Sequence, residues 1–411
     1  MKLKRFFHEA DSKMTEEMYA DGLRVCRIDM STSGFTLLNL QVNCGAKDSF
    51  DPSRNRSIPY GAAHFVEHLF FWDRGISLYE KYADRYTLMN AFTTFLHTHY
   101  LCISKPDNVY ENALMLYIQA TRNVWDFTRF EDETALILSE IETAFMQSGI
   151  SRLYHLLAGM YPDHAYSIYP AGRDVDIRSM AVPQLKDMIH RFYQPSNMIM
   201  FVLGNQNHSR KGKGRPLPWI EQEPMNKGKE SAINIHFKPM VAKSFSCTFL
   251  PENVRYETWI GVVFPGPSAE ATSHEYLRYA VRLELFAALL RQKSEEQFEC
   301  SWCSEAGIHH LILISRNVEP YGQLRQLLLQ ISKVMDDEQV GQIKENLLIK
   351  MIYDWDYPSR WLEHVKRICN ADSTFTDFYQ AVQMVDAQEL STFAVYMERE
   401  LDQITVEAVV S

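Results

Sequence analysis

The sequence predicts an α+β fold made of two tandem domains, and three observations predict it. With 411 residues, the chain is long enough for two cores of ordinary size. A stretch over 207–230, rich in Gly, Pro, Lys and Arg and lacking an apolar period, reads as a linker. Each flank of that stretch reads as strands first, then helices, then a short closing strand. The division is therefore an N-terminal domain over 1–206, the linker, and a C-terminal domain over 231–411. No strong sequence repeat relates the two flanks, so periodicity alone does not make their folds alike.

The elements follow in order. Phe35–Cys44 alternates apolar and polar residues as a strand does. Gly61–Phe71 holds His64, Glu67 and His68 in a run with helical spacing. Phe130–Met146 reads as a helix, with Leu136, Ile137, Ile141 and Phe145 at apolar spacing. Ile199–Gly204 closes the first half. After the linker, Ile233–Phe237 and Trp259–Phe264 read as strands, with helices over 274–292, 319–334 and 337–353. A last strand, Ile404–Val410, echoes Ile199–Gly204.

The chemistry concentrates in His64-x-x-Glu67-His68. Residues four apart share one face of a helix, so both imidazoles can reach one metal ion. Glu67 lies beside them and can handle a proton without being a ligand. Neutral imidazoles that hold Zn²⁺, with a carboxylate to activate water, are what a zinc hydrolase needs. The same five residues also suit an amphipathic helix whose histidines sit in a core. A third ligand is on offer. Glu133 and Glu140, seven apart, share a stripe beside the apolar one. A carboxylate there needs a partner because burying an unpaired charge is costly, and zinc would be one. A solvated acidic face with Glu131, Asp132 and Glu142 is the other reading.

Taken together, these residues resemble the pitrilysin family of zinc peptidases, the inverzincins, which include insulysin and the mitochondrial processing peptidase. The resemblance covers most of residues 20–205 and extends more loosely over 230–411. It is carried by Gly61–Phe71, by Asn90–Thr93 with Thr98–Tyr100, by the Glu133/Glu140 spacing, and by Tyr161–Gly172, Tyr193–Met198 and Val202–Asn205. It implies two similarly folded domains, each a mostly antiparallel sheet packed against helices. It also implies one zinc per chain held by His64, His68 and Glu140. Glu67 would be general base and then acid, and Glu133 would orient the site. The strand of Asn90, Ala91, Phe92 and Thr93 would accept a peptide as an added strand, with Asn90 positioning its backbone.

The second half departs from the family pattern. Arg291 matches the arginine of a substrate-binding Arg/Tyr pair, but Phe298 stands at the tyrosine position. The resemblance is to half-length bacterial members that work as dimers, some of them accompanying antibacterial-peptide biosynthesis. It implies a peptidase subunit for short or unfolded peptides, such as a precursor or bacteriocin-type peptide. Its partner would be a related chain that supplies the missing tyrosine, with a homodimer as the second choice. The competing class is a scaffold subunit that cleaves nothing; such proteins tend to lose the His or Glu ligands retained here.

Net charge is −10 with no long basic run, which gives nucleic-acid binding no electrostatic footprint. Met1–Asp11 turns polar too soon for a secretory signal, and no run approaches the ~18 apolar residues of a membrane span. The expected location is the cytoplasm. The cysteines (Cys26, Cys44, Cys102, Cys247, Cys300, Cys303 and Cys369) are odd in number and dispersed, unlike a disulfide framework. Cys300 and Cys303 form a lone C-x-x-C, read as structural or without a role. His97 and His99 read as ordinary strand residues.

Overall fold

The computed structural model describes residues 2–410 apart from 31–32, 50–57, 84, 206–241, 251–256, 269–270, 296, 306, 318 and 335. The expected linker at 207–230 and the strand expected at Ile233–Phe237 lie outside the described residues. The strands of the first half are β1 (Met14–Met18), β2 (Arg24–Asp29), β3 (Thr36–Val42), a two-residue ribbon β4 (Trp72–Asp73) and β5 (Ile76–Ser77), β6 (Leu88–Thr93), β7 (Thr98–Ser104) and β8 (Met198–Gly204). The second half supplies β9 (Phe245–Leu250), β10 (Glu257–Val263), β11 (Glu299–Glu305), β12 (Ile308–Ser315) and β13 (Thr405–Val410).

Two sheets result. The first runs β1-β2-β8-β3-β7-β6 and is antiparallel except where β2 meets β8. The second runs β11-β12-β10-β9-β13 and is antiparallel except where β9 meets β13. In both, the closing strand lies parallel to one neighbour. In the first it is inserted within the sheet; in the second it is the last strand among the described residues. β8 is apolar throughout and buried at every position, as a strand covered on both faces must be.

Strand β3 is also buried along its whole length. Its alternation divides one covered face from another, not core from solvent. Leu38, Leu40 and Val42 pack with helices of the first half, including Ala62–Phe70, Val109–Thr121 and Val182–Phe192. Leu37 turns the other way, into the apolar cluster of the second half. There the second-half helix Pro358–Asn370 covers the first sheet, and Gln41 Nε2 donates to Asn370 Oδ1 (3.3 Å). The cover is reciprocated. Helix Ser148–Met160 of the first half lies on the second sheet, where Leu156, Leu157 and Met160 meet Phe245, Cys247, Phe249 and Trp259. That approach is close enough to require glycine. A Cβ on Gly159 would lie 2.3 Å from the Phe245 ring, and one on Gly261 would lie 2.2 Å from Met160 Sδ.

The predicted helices appear as Ser273–Lys293, Pro320–Val334 and Asp337–Asp354. Phe130–Met146 forms as expected, but only part of its apolar stripe is buried. Ile137 and Ile141 enter the core, while Leu136 and Phe145 are exposed. Among the described residues, no helix is long and apolar enough to cross a membrane.

Candidate metal centre

The helix Ala62–Phe70 is placed by its first turn. Gly61 takes φ +86°, and a Cβ there would sit 2.3 Å from the Ala171 carbonyl oxygen. Gly172 (φ +90°) makes the matching approach to the Tyr60 carbonyl. Ala62, Ala63, Phe65, Val66, Leu69 and Phe70 are buried, which fixes the rotation of the helix. Phe65 stacks on Phe130 with ring centres 5.0 Å apart and so joins this helix to Phe130–Met146.

The rotation leaves His64 and His68 facing Glu140. Glu140 Oε2 lies 3.3 Å from His68 Nε2 and 3.8 Å from His64 Nε2. One ligand atom from each of the three lies within 4.8 Å of the others. A tetrahedral zinc site with bonds of ~2.0–2.1 Å separates its ligands by about 3.3 Å. His68 Nδ1 is held by Glu133 Oε2 at 2.8 Å, which leaves Nε2 for a metal. Glu133 Oε1 accepts a hydrogen bond from Trp72 Nε1 (2.7 Å). His64 Nδ1 is buried with no hydrogen-bond partner among the described residues. Two imidazoles and a carboxylate converging at these distances fit zinc.

Glu67 points from the same helix toward β6, where Thr93 Oγ1 donates to its Oε2 (2.6 Å). Burial raises the Glu67 carboxyl to about 7, against the opposing pull of the Thr93 hydrogen bond and His68. Burial lowers His64 to about 3, and neighbouring His68 adds to the effect. Burial also works against the charged form of His68, but the carboxylates of Glu133 and Glu140 outweigh it and raise that group to about 9. Glu140 is lowered, first by its hydrogen bond to His68. Protons and a metal therefore compete for the His68 nitrogen.

Other expected positions fall in different places. β6 is the edge strand of its sheet, with Asn90 and Phe92 exposed on one face and Ala91 and Thr93 turned toward the helices. Asn90 Oδ1 accepts from the Ala91 backbone N–H (2.9 Å). Arg291 is exposed at the end of Ser273–Lys293 and has no ion pair or contact with the cluster among the described residues. Phe298 lies in the apolar core of the second half at 3% exposure. A hydroxyl at that position would lie inside a core rather than facing a substrate, so Phe298 does not mark a missing substrate donor. His97 and His99 are not part of any metal-competent group among the described residues.

Two neighbours of the site escaped the sequence reading. Trp72 braces Glu133. Tyr79 stacks on Phe71 with ring centres 4.3 Å apart. Its phenol is raised to about 12 by burial and then by the charges of Glu67, Glu133 and Glu140. The only signal for either was proximity to the motif in the chain.

The comparisons with known proteins point to zinc proteases. No family model matches the chain. It is 27% identical over 412 residues to the "Putative zinc protease AlbF" of Bacillus subtilis, covering 95% of this chain and 94% of that one. The chain is similar to zinc proteases of the pitrilysin type over nearly its whole length. Its fold is that of a "putative M16-like peptidase" from Alicyclobacillus acidocaldarius, with a TM-score of 0.76 at 17% identity, over 97% of this chain and 98% of that one. The fold also matches that of the periplasmic protease PqqL of Escherichia coli. That match has a TM-score of 0.72 at 16% identity and covers 97% of this chain but 48% of PqqL.

Proposed function

We propose that the chain is a zinc metalloendopeptidase subunit that hydrolyses peptide bonds in short or unfolded peptides. The observation that carries this is the convergence of His64, His68 and Glu140 within 4.8 Å, with the buried carboxyl of Glu67 on the same helix. Zinc held by His64, His68 and Glu140 would supply an acidified water and polarise the scissile carbonyl. Glu67 takes the proton from the attacking water and delivers it to the leaving amine. Its Oε2 already accepts from Thr93, which leaves Oε1 as the proton carrier. A carboxyl titrating near 7 is suited to both halves of that task. Glu133, braced by Trp72, keeps His68 in the tautomer whose Nε2 is unprotonated.

The free edge of β6 is the proposed peptide-binding strand. Ala91, Phe92 and Thr93 pair with it, and Asn90 releases the Ala91 N–H to hold its backbone. Strand addition needs an extended substrate, so folded proteins should resist cleavage. The proposed substrate class is a precursor or bacteriocin-type peptide, as the resemblance to half-length bacterial members implies. A second chain is proposed to complete the enzyme, most simply a related one, because PqqL is about twice the length of this unit. Arg291 is the candidate substrate contact on the second half. A purely structural role would not need His64, His68 and Glu140 to converge beside a buried Glu67.

The test is a comparison of two variants for bound zinc and peptide cleavage. Glu67→Gln should keep its zinc and lose activity, whereas Glu140→Ala should lose both. Zinc released by Glu67→Gln but kept by Glu140→Ala would reverse the roles and overturn the assignment.

A further inference from the structure

Cys26 and Cys369 are separated by almost the whole chain, yet their sulfurs lie 3.2 Å apart. Cys26 is on β2 of the first sheet. Cys369 is in the last turn of Pro358–Asn370, the second-half helix that covers that sheet. Both are buried, at 1% and 3% exposure. All seven cysteines are free thiols. No other two of them make a sulfur–sulfur contact. The C-x-x-C pair is not an alternative. Cys300 and Cys303 lie three apart on β11, opposite Leu313 and His310 of β12, so the pleat sends their side chains to opposite faces.

We propose that Cys26 and Cys369 form a reversible disulfide that fastens the second-half helix to the first-half sheet. The oxidant is hydrogen peroxide. One thiolate attacks the peroxide oxygen, the O–O bond breaks, and a sulfenic acid and one water form. The second thiol displaces the sulfenic oxygen as a second water. Two S–H bonds are lost and one S–S bond is gained; the two electrons removed from sulfur reduce the peroxide. A dithiol reverses the step. The bond closes a loop that spans both halves, so it restricts the unfolded chain strongly. Because Lys366 of the same helix lies over the ring of Phe92 (5.6 Å), the fastening also anchors the wall beside the β6 edge.

The test uses the intact chain. It is incubated with hydrogen peroxide or with a phosphine reductant, then denatured and alkylated with N-ethylmaleimide, and its mass is measured. The reduced chain should take seven labels and the oxidised chain five, with Cys26- and Cys369-containing peptides linked in the digest. Cys369→Ser should take six labels before and after oxidation. The oxidised wild type should melt roughly 5 °C above its reduced form, a shift absent in Cys369→Ser. Seven labels after oxidation, or a linkage between other cysteines, would overturn the site. A correct linkage with no melting shift would overturn its role as a fastening.

Discussion

The two sheets are built alike and equipped differently. Each has a closing strand running parallel to one neighbour, and each is covered by a helix lent from the other half. Only the first is flanked by a His/Glu group able to hold a metal, among the described residues. The second sheet carries histidines too, but His310 is spent on Tyr161 Oη (2.8 Å) and His309 on Ser304 Oγ (3.0 Å). The difference lies in the covering helix. Ala62–Phe70 presents two imidazoles to a neighbouring helix that bears Glu133 and Glu140. The matching helices of the second half present apolar side chains to one another. A shared architecture therefore fixes where a site can be built, and a few side chains decide whether one is.

The strongest attempt to break this contrast is removal of a first-half ligand. His64→Ala should abolish tight zinc binding and lower kcat/KM by at least ~10³-fold, as metal content and peptide cleavage would show. Activity surviving that change would place the chemistry elsewhere. Next in size is Trp72→Phe, which removes the N–H donor to Glu133 and keeps most of the ring. Zinc affinity should fall about 10–100-fold by competition with a chelator.

The contacts between halves should show in acid. Burial lowers both His97 and His310 to about 3; at His97 the cations Lys47 and Lys366 add to it, and at His310 His309 does. A folded pKa below the unfolded value of ~6.5 means stability that is present above 6.5 and is lost as pH falls toward 3. Each such histidine removes about 1.4 kcal/mol per pH unit in that window. Urea midpoints from pH 7 to 4 should therefore drop, and His310→Gln should make the drop shallower. Equal slopes would remove His310 from the account.

The smallest effects belong to the second half. Arg291→Ala should change kcat/KM by less than about tenfold, because the single side chain is exposed and apart from the cluster. Phe298→Tyr should lower stability by ~1–3 kcal/mol by burying a hydroxyl, with no gain in activity. A rise in peptide cleavage by Phe298→Tyr would restore the missing-tyrosine argument and undo the assignment of that ring to the core.

Local geometry made much of the first half legible. A helix puts residues four apart on one face wherever it sits, so His64 and His68 could be paired from spacing alone. Glu133 and Glu140 followed for the same reason, and the helices of the second half followed from apolar periodicity. What misled was exposure. Leu136 and Phe145 keep helical spacing yet stay exposed, Phe145 meeting only the rims of Tyr154 and Tyr169 among the described residues. β3 alternates yet is buried on both faces, because a helix from the far half covers its second side.

The sequence by itself determined the elements, the imidazole pair and its companion carboxylates, since each depends on a repeat of a few residues along one backbone. Only the tertiary structure decided which faces met. It set Trp72 against Glu133, turned Phe298 into a core, and brought Cys26 to Cys369. Those outcomes depend on packing between segments far apart in the chain, where spacing carries no information and the burial of apolar surface selects the arrangement.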